Sequence, residues 1–273
     1  MHKHFLLTVS DDRSALYGAR FVNAFFSNKD QVKFTLLYIA PRTGQQETLV
    51  PVESESNTCD LALEDTVQRL MDWDFLEENL LCKVKKRMVS TSKDIMSEGN
   101  RGLYDAIILG RRGTSRLEEL INDSVSVKLL KGERNAPIWV CRNPETDRRN
   151  VLVCLDGSQE SLHITDHAGF ILADELQHQI TLLHVQTDDR VPDTMFADAR
   201  QILDSYGIAR DRVQERLITS KNPAKAILSE AEKGGFSAVA VGYTGEAQKS
   251  VFRMGSVGLK LFYEMQGSVL WVG

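Results

Sequence analysis

The 273-residue chain carries the same pattern twice. "IMSEGNRGLYDAIILGRRG" (95–113) matches "ILSEAEKGGFSAVAVGYTG" (227–245), "DSVSVKLL" (123–130) matches "GSVGLKLF" (255–262), and "PIWVC" (137–141) matches "VLWVG" (269–273). Positions 110 and 242, 124 and 256, and 139 and 271 are each 132 apart, so no insertion separates the copies from Ile95 to Cys141. Earlier, "FTLLYIAP" (34–41) matches "ITLLHVQT" (180–187) at an offset of 146. The first copy therefore has about 14 extra residues, and the polar stretch "PRTGQQETLVPVESESNTCD" reads as the loop that holds them. Ordered matches at a fixed offset mark a tandem duplication. Its seam lies near "NPETDRRN" (143–150), giving domains at 1–143 and 149–273. Two domains also suit the length, at roughly 100–150 residues each.

Each copy has one rhythm. In the second, "NVLVCLD" (150–156) is a short apolar run that reads as a buried strand. "SLHITDHAGFILADEL" (161–176) has helical spacing, "QITLLHV" is a strand, "TMFADARQILDSYGI" a helix and "VQERLIT" a strand. "PAKAILSEAEKG" is a helix with Pro223 at its start and Gly234 at its end, as helix termini favour. "SAVAVG", "SVGLKLFYEMQ" and "SVLWVG" complete the copy as strand, helix and strand. This alternation predicts an α/β fold of two repeated doubly wound domains, each a mostly parallel five-stranded sheet with helices on both faces. Ligands in such folds sit at the carboxyl ends of strands, where connections diverge to opposite faces.

Charge narrows the function. With 33 basic and 38 acidic residues the net charge is -5, which leaves no broad basic face for a nucleic-acid backbone. No apolar run approaches the ~20 residues of a membrane span, and the opening "MHKHFLLTVSDD" reads as a first strand. A cytoplasmic location is expected. Cys59, Cys82, Cys141 and Cys154 are scattered without a C-x-x-C pair and read as free thiols.

The stretch "GYTGEAQKSVFRMGSVG" (242–258) is where a ligand would be held. Gly242 follows the strand "SAVAV", and Ser256 opens the next helix. Glycine lets backbone approach a ligand closely. Successive N–H groups and a helix start suit anions, and Lys249 and Arg253 add positive charge. On spacing alone, a plain strand-to-helix connection with turn glycines explains it equally well.

The spacing G-x-x-G, nine residues, then G-S resembles the nucleotide-binding signature of the universal stress protein family. It reads here as Gly242, Gly245, Gly255 and Ser256, followed by Val257. The resemblance extends through "VLVCLDGSQES", "ITLLHV", "NPAKAILSEAE" and "SAVAVG", covering the second copy almost throughout and the first in outline. It implies a site for ATP or AMP, with or without Mg²⁺. Asp156 would face the adenine and ribose end, and Val185 would offer backbone hydrogen bonds to adenine. Gly242, Gly245 and Gly255 would admit the phosphates, with Ser256 and Val257 contributing at the helix start. Read from the residues alone, Asp156 serves equally as a cap for the following turn or helix.

The first copy departs from this pattern. Its loop has Gly110 and Gly113, but Asp123 stands in the place of the third glycine, before Ser124. Ser10 occupies the position of Asp156. Two unit charges ~4 Å apart interact by about 4 kcal/mol at an effective dielectric of 20, so a carboxylate there opposes phosphate. Arg111, Arg112 and Arg116 offset part of this, while Glu118 and Glu119 add to it. The expectation is nucleotide in the second copy, and weak or different binding in the first.

Other groups read as structural. His163 and His167 share a helix face at i, i+4 but lack a third metal ligand, so a solvated face is expected. Trp139 and Trp271 hold the same place in each last strand. The family resemblance makes those strands a dimer contact, implying an internal pseudo-dimer and allowing a homodimer. No Walker loop, G-x-S-x-G or H-E-x-x-H is present, so rapid ATP hydrolysis is not expected. Three functions follow: a nucleotide-binding stress-response regulatory or protective module, a nucleotide-independent dimeric scaffold for protein partners, or a slow ATPase.

Overall fold

A computed structural model describes residues 2–11, 16–41, 53–110, 125–130, 135–187, 194–244 and 254–273. The first half runs β1 (Lys3–Val9), α1 (Leu16–Phe25), β2 (Val32–Ala40), α2 (Glu53–Asp72), β3 (Leu80–Lys86), α3 (Thr91–Arg101), β4 (Ala106–Gly110), α4 (Val125–Leu130) and β5 (Ile138–Cys141). The second repeats it with β6 (Arg149–Leu155), α5 (Gln159–Leu172), β7 (Ile180–Gln186), α6 (Met195–Ser205), β8 (Val213–Thr219), α7 (Pro223–Gly234), β9 (Phe236–Val241), α8 (Ser256–Glu264) and β10 (Val269–Val272). The polar stretch read as a loop is partly helix, because α2 already begins at Glu53.

Each half has the doubly wound order, but the two five-stranded sets form one ten-stranded sheet, β3-β2-β1-β4-β5-β10-β9-β6-β7-β8. Strand pairs within each half are parallel. The join is antiparallel, β5 against β10, with Trp139 opposite Trp271. Carboxyl ends of the first-half strands therefore lie along one edge of the sheet and those of the second half along the other. Alternate strand residues feed two cores: Phe5, Leu7 and Val151 meet α1, α2, α5 and α6 on one face. Leu6, Ile107 and Leu152 meet α3, α4, α7 and α8 on the other.

The two indoles stack at the join, 4.4 Å between centroids and 8° from parallel, and both are fully buried. His167 of α5 sits against both. Its Nε2 lies 3.0 Å from Trp139 Nε1, so it accepts that indole's proton. The expected solvated His163/His167 face is therefore wrong. His163 is exposed and His167 is buried, because residues four apart on a helix differ by about 40° and the edge of the apolar face falls between them. The pseudo-symmetry breaks here too. Position 21, which corresponds to 167 at the 146 offset, is Phe, and buried Trp271 Nε1 has no partner.

The outer strands repeat one protective device. Glu98 on α3 is buried and receives Lys83 Nζ at 2.7 Å, Lys85 Nζ at 2.9 Å and the Tyr104 hydroxyl at 3.0 Å. Burial pushes this carboxyl up, but those three donors outweigh it and hold it at about 2. Glu230 on α7, 132 positions on, pairs with Arg216 of β8. Charged edge strands oppose pairing with a further sheet.

Burial pushes the His167 imidazole down to about 3, so the folded protein binds its proton far more weakly than the unfolded chain does. The stability it contributes is intact above the ordinary value of 6.5 and falls as pH drops from there toward 3. His167→Phe should flatten that part of the urea-denaturation stability profile. At pH 7 it should cost about 1–3 kcal/mol, because Trp139 then also has a buried unpaired donor.

Candidate functional site

β6 and β9 are neighbours, yet the chain leaves β6 for α5 on one face and β9 for α8 on the other. In doubly wound folds, such a divergence marks the strand ends at which ligands sit.

Asp156 follows β6 directly and is half-buried. Its Oδ1 accepts from the Ser158 hydroxyl at 2.5 Å and the Ser158 amide at 3.1 Å. Ser158 Oγ in turn accepts from the Ser161 amide at 3.1 Å and caps α5. Gly157 between them has φ 83°, where a side chain would be strained. Asp156 thus does local work at a helix start. Val185, near the end of β7, is half-buried and pairs with Ile218. Like Cys154, Ile218, Tyr243 and Val257, it is a partly buried apolar residue packed against the core that holds α7 and α8. Cys154 and Ile218 could have been found from the sequence, since both share a strand face with Val185.

Gly242 lies immediately beyond β9, and a Cβ there would be 2.8 Å from the Glu160 carbonyl carbon and 2.9 Å from the Ser161 nitrogen. The chain needs glycine at this point to pass its own helix α5. Tyr243 then donates its amide to Gly273 O at 2.6 Å, and its carbonyl accepts from the Gly255 amide at 2.9 Å. Gly242 and Gly255 are thereby brought together at one strand end, with Ser256 and Val257 opening α8. Side chains cap three other helices: Ser90 for α3, Ser158 for α5 and Asn222 for α7. Gly255 offers α8 no such group. Gly245, Lys249 and Arg253 lie outside the described residues, as do Gly113, Asp123 and Ser124 of the first-half loop and its Arg and Glu residues.

His184 is buried, with Nδ1 2.8 Å from Leu155 O, and ties β7 to β6. Among the described residues no cluster of His, Cys, Asp and Glu could hold a metal, and Cys82, Cys141 and Cys154 are unpaired. No described helix is long and apolar enough to cross a membrane.

The model of the universal stress protein family matches residues 147–273. The C-terminal half belongs to the universal stress protein family. A universal stress protein from Archaeoglobus fulgidus DSM 4304 has a similar structure along the whole chain, with TM-score 0.75 and 17% identity over 98% of this chain and 97% of that one. A protein of Pseudomonas aeruginosa UCBPP-PA14 described as a universal stress protein gives TM-score 0.59 and 16% identity over 99% and 92%. At these identities the likeness is one of fold. No curated protein matches the chain. Together with the ten-stranded sheet, these findings give a tandem arrangement of the universal stress protein fold.

Gly242 and Gly255 carry different constraints. Gly242→Ala must displace backbone and should lower stability by about 1–3 kcal/mol in chemical denaturation. Gly255 has φ -58° and ψ 156°, open to any residue, so Gly255→Ala should cost less.

Proposed function

We propose that the C-terminal half binds an adenine nucleotide, ATP or AMP, with or without Mg²⁺, and that the protein serves as a stress-response regulatory or protective module. The observation that supports this reading is that the Tyr243 carbonyl, beside Gly242, accepts the Gly255 amide at 2.9 Å, where β6 and β9 lead to opposite faces. Cys154, Val185, Ile218, Tyr243 and Val257, apolar and partly buried, suit the flat apolar face of a base. The α8 start at Gly255 and Ser256, without a side-chain cap, suits phosphate. In this reading Val185 offers backbone bonds to adenine and Asp156 borders the ribose. Gly242, Gly245 and Gly255 keep side chains away from the phosphates, and Ser256 and Val257 donate at the helix start.

One observation favours the nucleotide-independent scaffold. Gly242 and Asp156 both have intramolecular roles that would retain them without a ligand. Melting curves with ATP, AMP and Mg²⁺ separate the two. Ligand at 100 times its dissociation constant should add about 2.7 kcal/mol to stability. A carboxylate ~4 Å from phosphate opposes it by about 4 kcal/mol at an effective dielectric of 20, so Gly255→Asp should abolish the shift. No shift for the natural chain at millimolar nucleotide overturns the reading. Stress survival supported equally by the Gly255→Asp variant supports the scaffold.

A further inference from the structure

One histidine of the second half stands between the two halves with both ring nitrogens engaged. His178, between α5 and β7, is fully buried. Its Nε2 lies 2.9 Å from Phe25 O at the end of α1, and its Nδ1 lies 3.3 Å from the Asn150 amide in β6. The Phe25 ring stacks on the imidazole, 4.2 Å between centroids and 16° from parallel. We propose that His178 is an acid-sensitive latch between the halves: neutral, it joins the end of α1 to β6, and protonation releases that contact. The proposal is independent of the nucleotide reading, because none of its groups belongs to that site.

The partners leave the ring one protonation state. A carbonyl only accepts, so Nε2 carries the proton that goes to Phe25 O. A backbone amide only donates, so Nδ1 must be a bare acceptor for Asn150. A second proton goes to Nδ1 and sets an N–H against an N–H. Burial pushes the imidazole below its ordinary 6.5, Phe25 O and Glu175 favour the cation, and Arg149 and Arg212 oppose it. Residues 24–28, at the end of α1, are uncharged. Glu175 is already committed, since its Oε2 accepts from the Ser27 amide at 2.8 Å, the Ser27 hydroxyl at 2.7 Å and Gln177 Nε2 at 2.9 Å. Arg212 is also buried and directs its guanidinium to the Leu172, Glu175 and His178 carbonyls. An imidazolium there loses the Asn150 contact and stays buried beside two guanidiniums. Its charge reaches water only if the end of α1 lifts from the second half.

The other end of the latch depends on this contact too. Asn150 has φ 62°, a left-handed conformation uncommon outside glycine, which Asn adopts more readily than most residues. It is held there by His178 at its amide, by the Gln179 amide donating to its Oδ1 at 2.8 Å and by the Ser237 hydroxyl donating to its carbonyl at 2.8 Å. Protonation removes the first of these. The first half does not repeat the arrangement. At the offset of 146, position 178 corresponds to Val32 and position 150 to His4, whose Nε2 lies 2.9 Å from Thr35 Oγ1 instead. The latch therefore occurs once in the chain, where the second half meets the end of α1.

The test is NMR on the isotope-labelled full chain, taken from neutral to acid pH. Correlating ring protons with ring nitrogens resolves His178 from His167, and should show His178 neutral at neutral pH with its proton on Nε2. Amide exchange reads the latch. Protection at Asn150 and Ser27 should fall by up to about tenfold per pH unit from 6.5 down toward the ring's own midpoint, while the Trp139 and Trp271 amides keep theirs. His178→Gln does not titrate but still places a donor near Phe25 O, so it should fold and lose the acid step at both amides. A ring that is cationic at neutral pH, carries its proton on Nδ1 or never titrates before the chain unfolds overturns the proposal. So does unchanged protection at Asn150 or Ser27 as the ring titrates, or an equal fall at Trp139 and Trp271, which reports unfolding of the whole chain. A Ser27 step that persists in His178→Gln belongs to Glu175 and overturns it as well. Should that variant fail to fold, the natural chain decides: loss of protection that follows the ring's titration supports the latch, and loss at a different pH rejects it.

Discussion

The antiparallel pairing of β5 with β10 sets everything else in the molecule. An edge strand of a parallel sheet exposes a row of unpaired backbone groups, and a duplicated domain exposes two such edges at equivalent places. Joining them satisfies both rows at once. The stacked Trp139 and Trp271 place two large apolar side chains on the same face of that joint. One continuous sheet follows, with two cores that each run through both halves. Removing either half would expose the other's tryptophan and strand edge, so the duplication is bound into one folding unit by its two shortest core strands.

That junction is not symmetric, and the asymmetry is chemical. Position 167 is His and its counterpart 21 is Phe, so one indole has an acceptor and the other has none. Phe25 stacks on His178 at 4.2 Å, and Glu175 reaches back to the Ser27 amide and hydroxyl at 2.8 and 2.7 Å. The buried contacts of the junction therefore draw more polar groups from the second half than from the first. A duplicated sequence can keep its strand pattern while its helices diverge, because the strands must match each other and the helices need only fill the remaining space.

Much of this fold was legible in the sequence because it depends on period and order. The repeated strands, helix α7 with Pro223 and its terminal glycines, and the matched tryptophans all appear as patterns of residue type. What was not legible depends on what lies across a contact. A four-residue spacing puts His163 and His167 on nearby helix faces, but only the packed junction decides that one is exposed and the other buried. A glycine after a strand announces close approach without saying to what, and at Gly242 the approaching backbone is that of Glu160 and Ser161. Asp156 shows the same limit, since an acid beside Gly157 and Ser158 can serve a ligand or a cap with one geometry.

Opposite strand direction in the two halves gives the chain room to change one site without disturbing the other. The strand-end edges are separated by the full length of the strands, so a side chain altered at Arg87 or Val125 does not enter the packing around Val185 or Gly255. Within the first half, the groups that build the fold are largely kept: the α3 cap at Ser90, the buried acid at Glu98 and the tryptophan at 139 all have working counterparts. The departures include the residues after β3 and, in the sequence repeat, Asp123 at the position of Gly255 and Ser10 at that of Asp156. Changes placed where burial and strand pairing impose least leave stability intact while altering the chemistry presented to solvent, and that is how one fold used twice can hold two different surfaces.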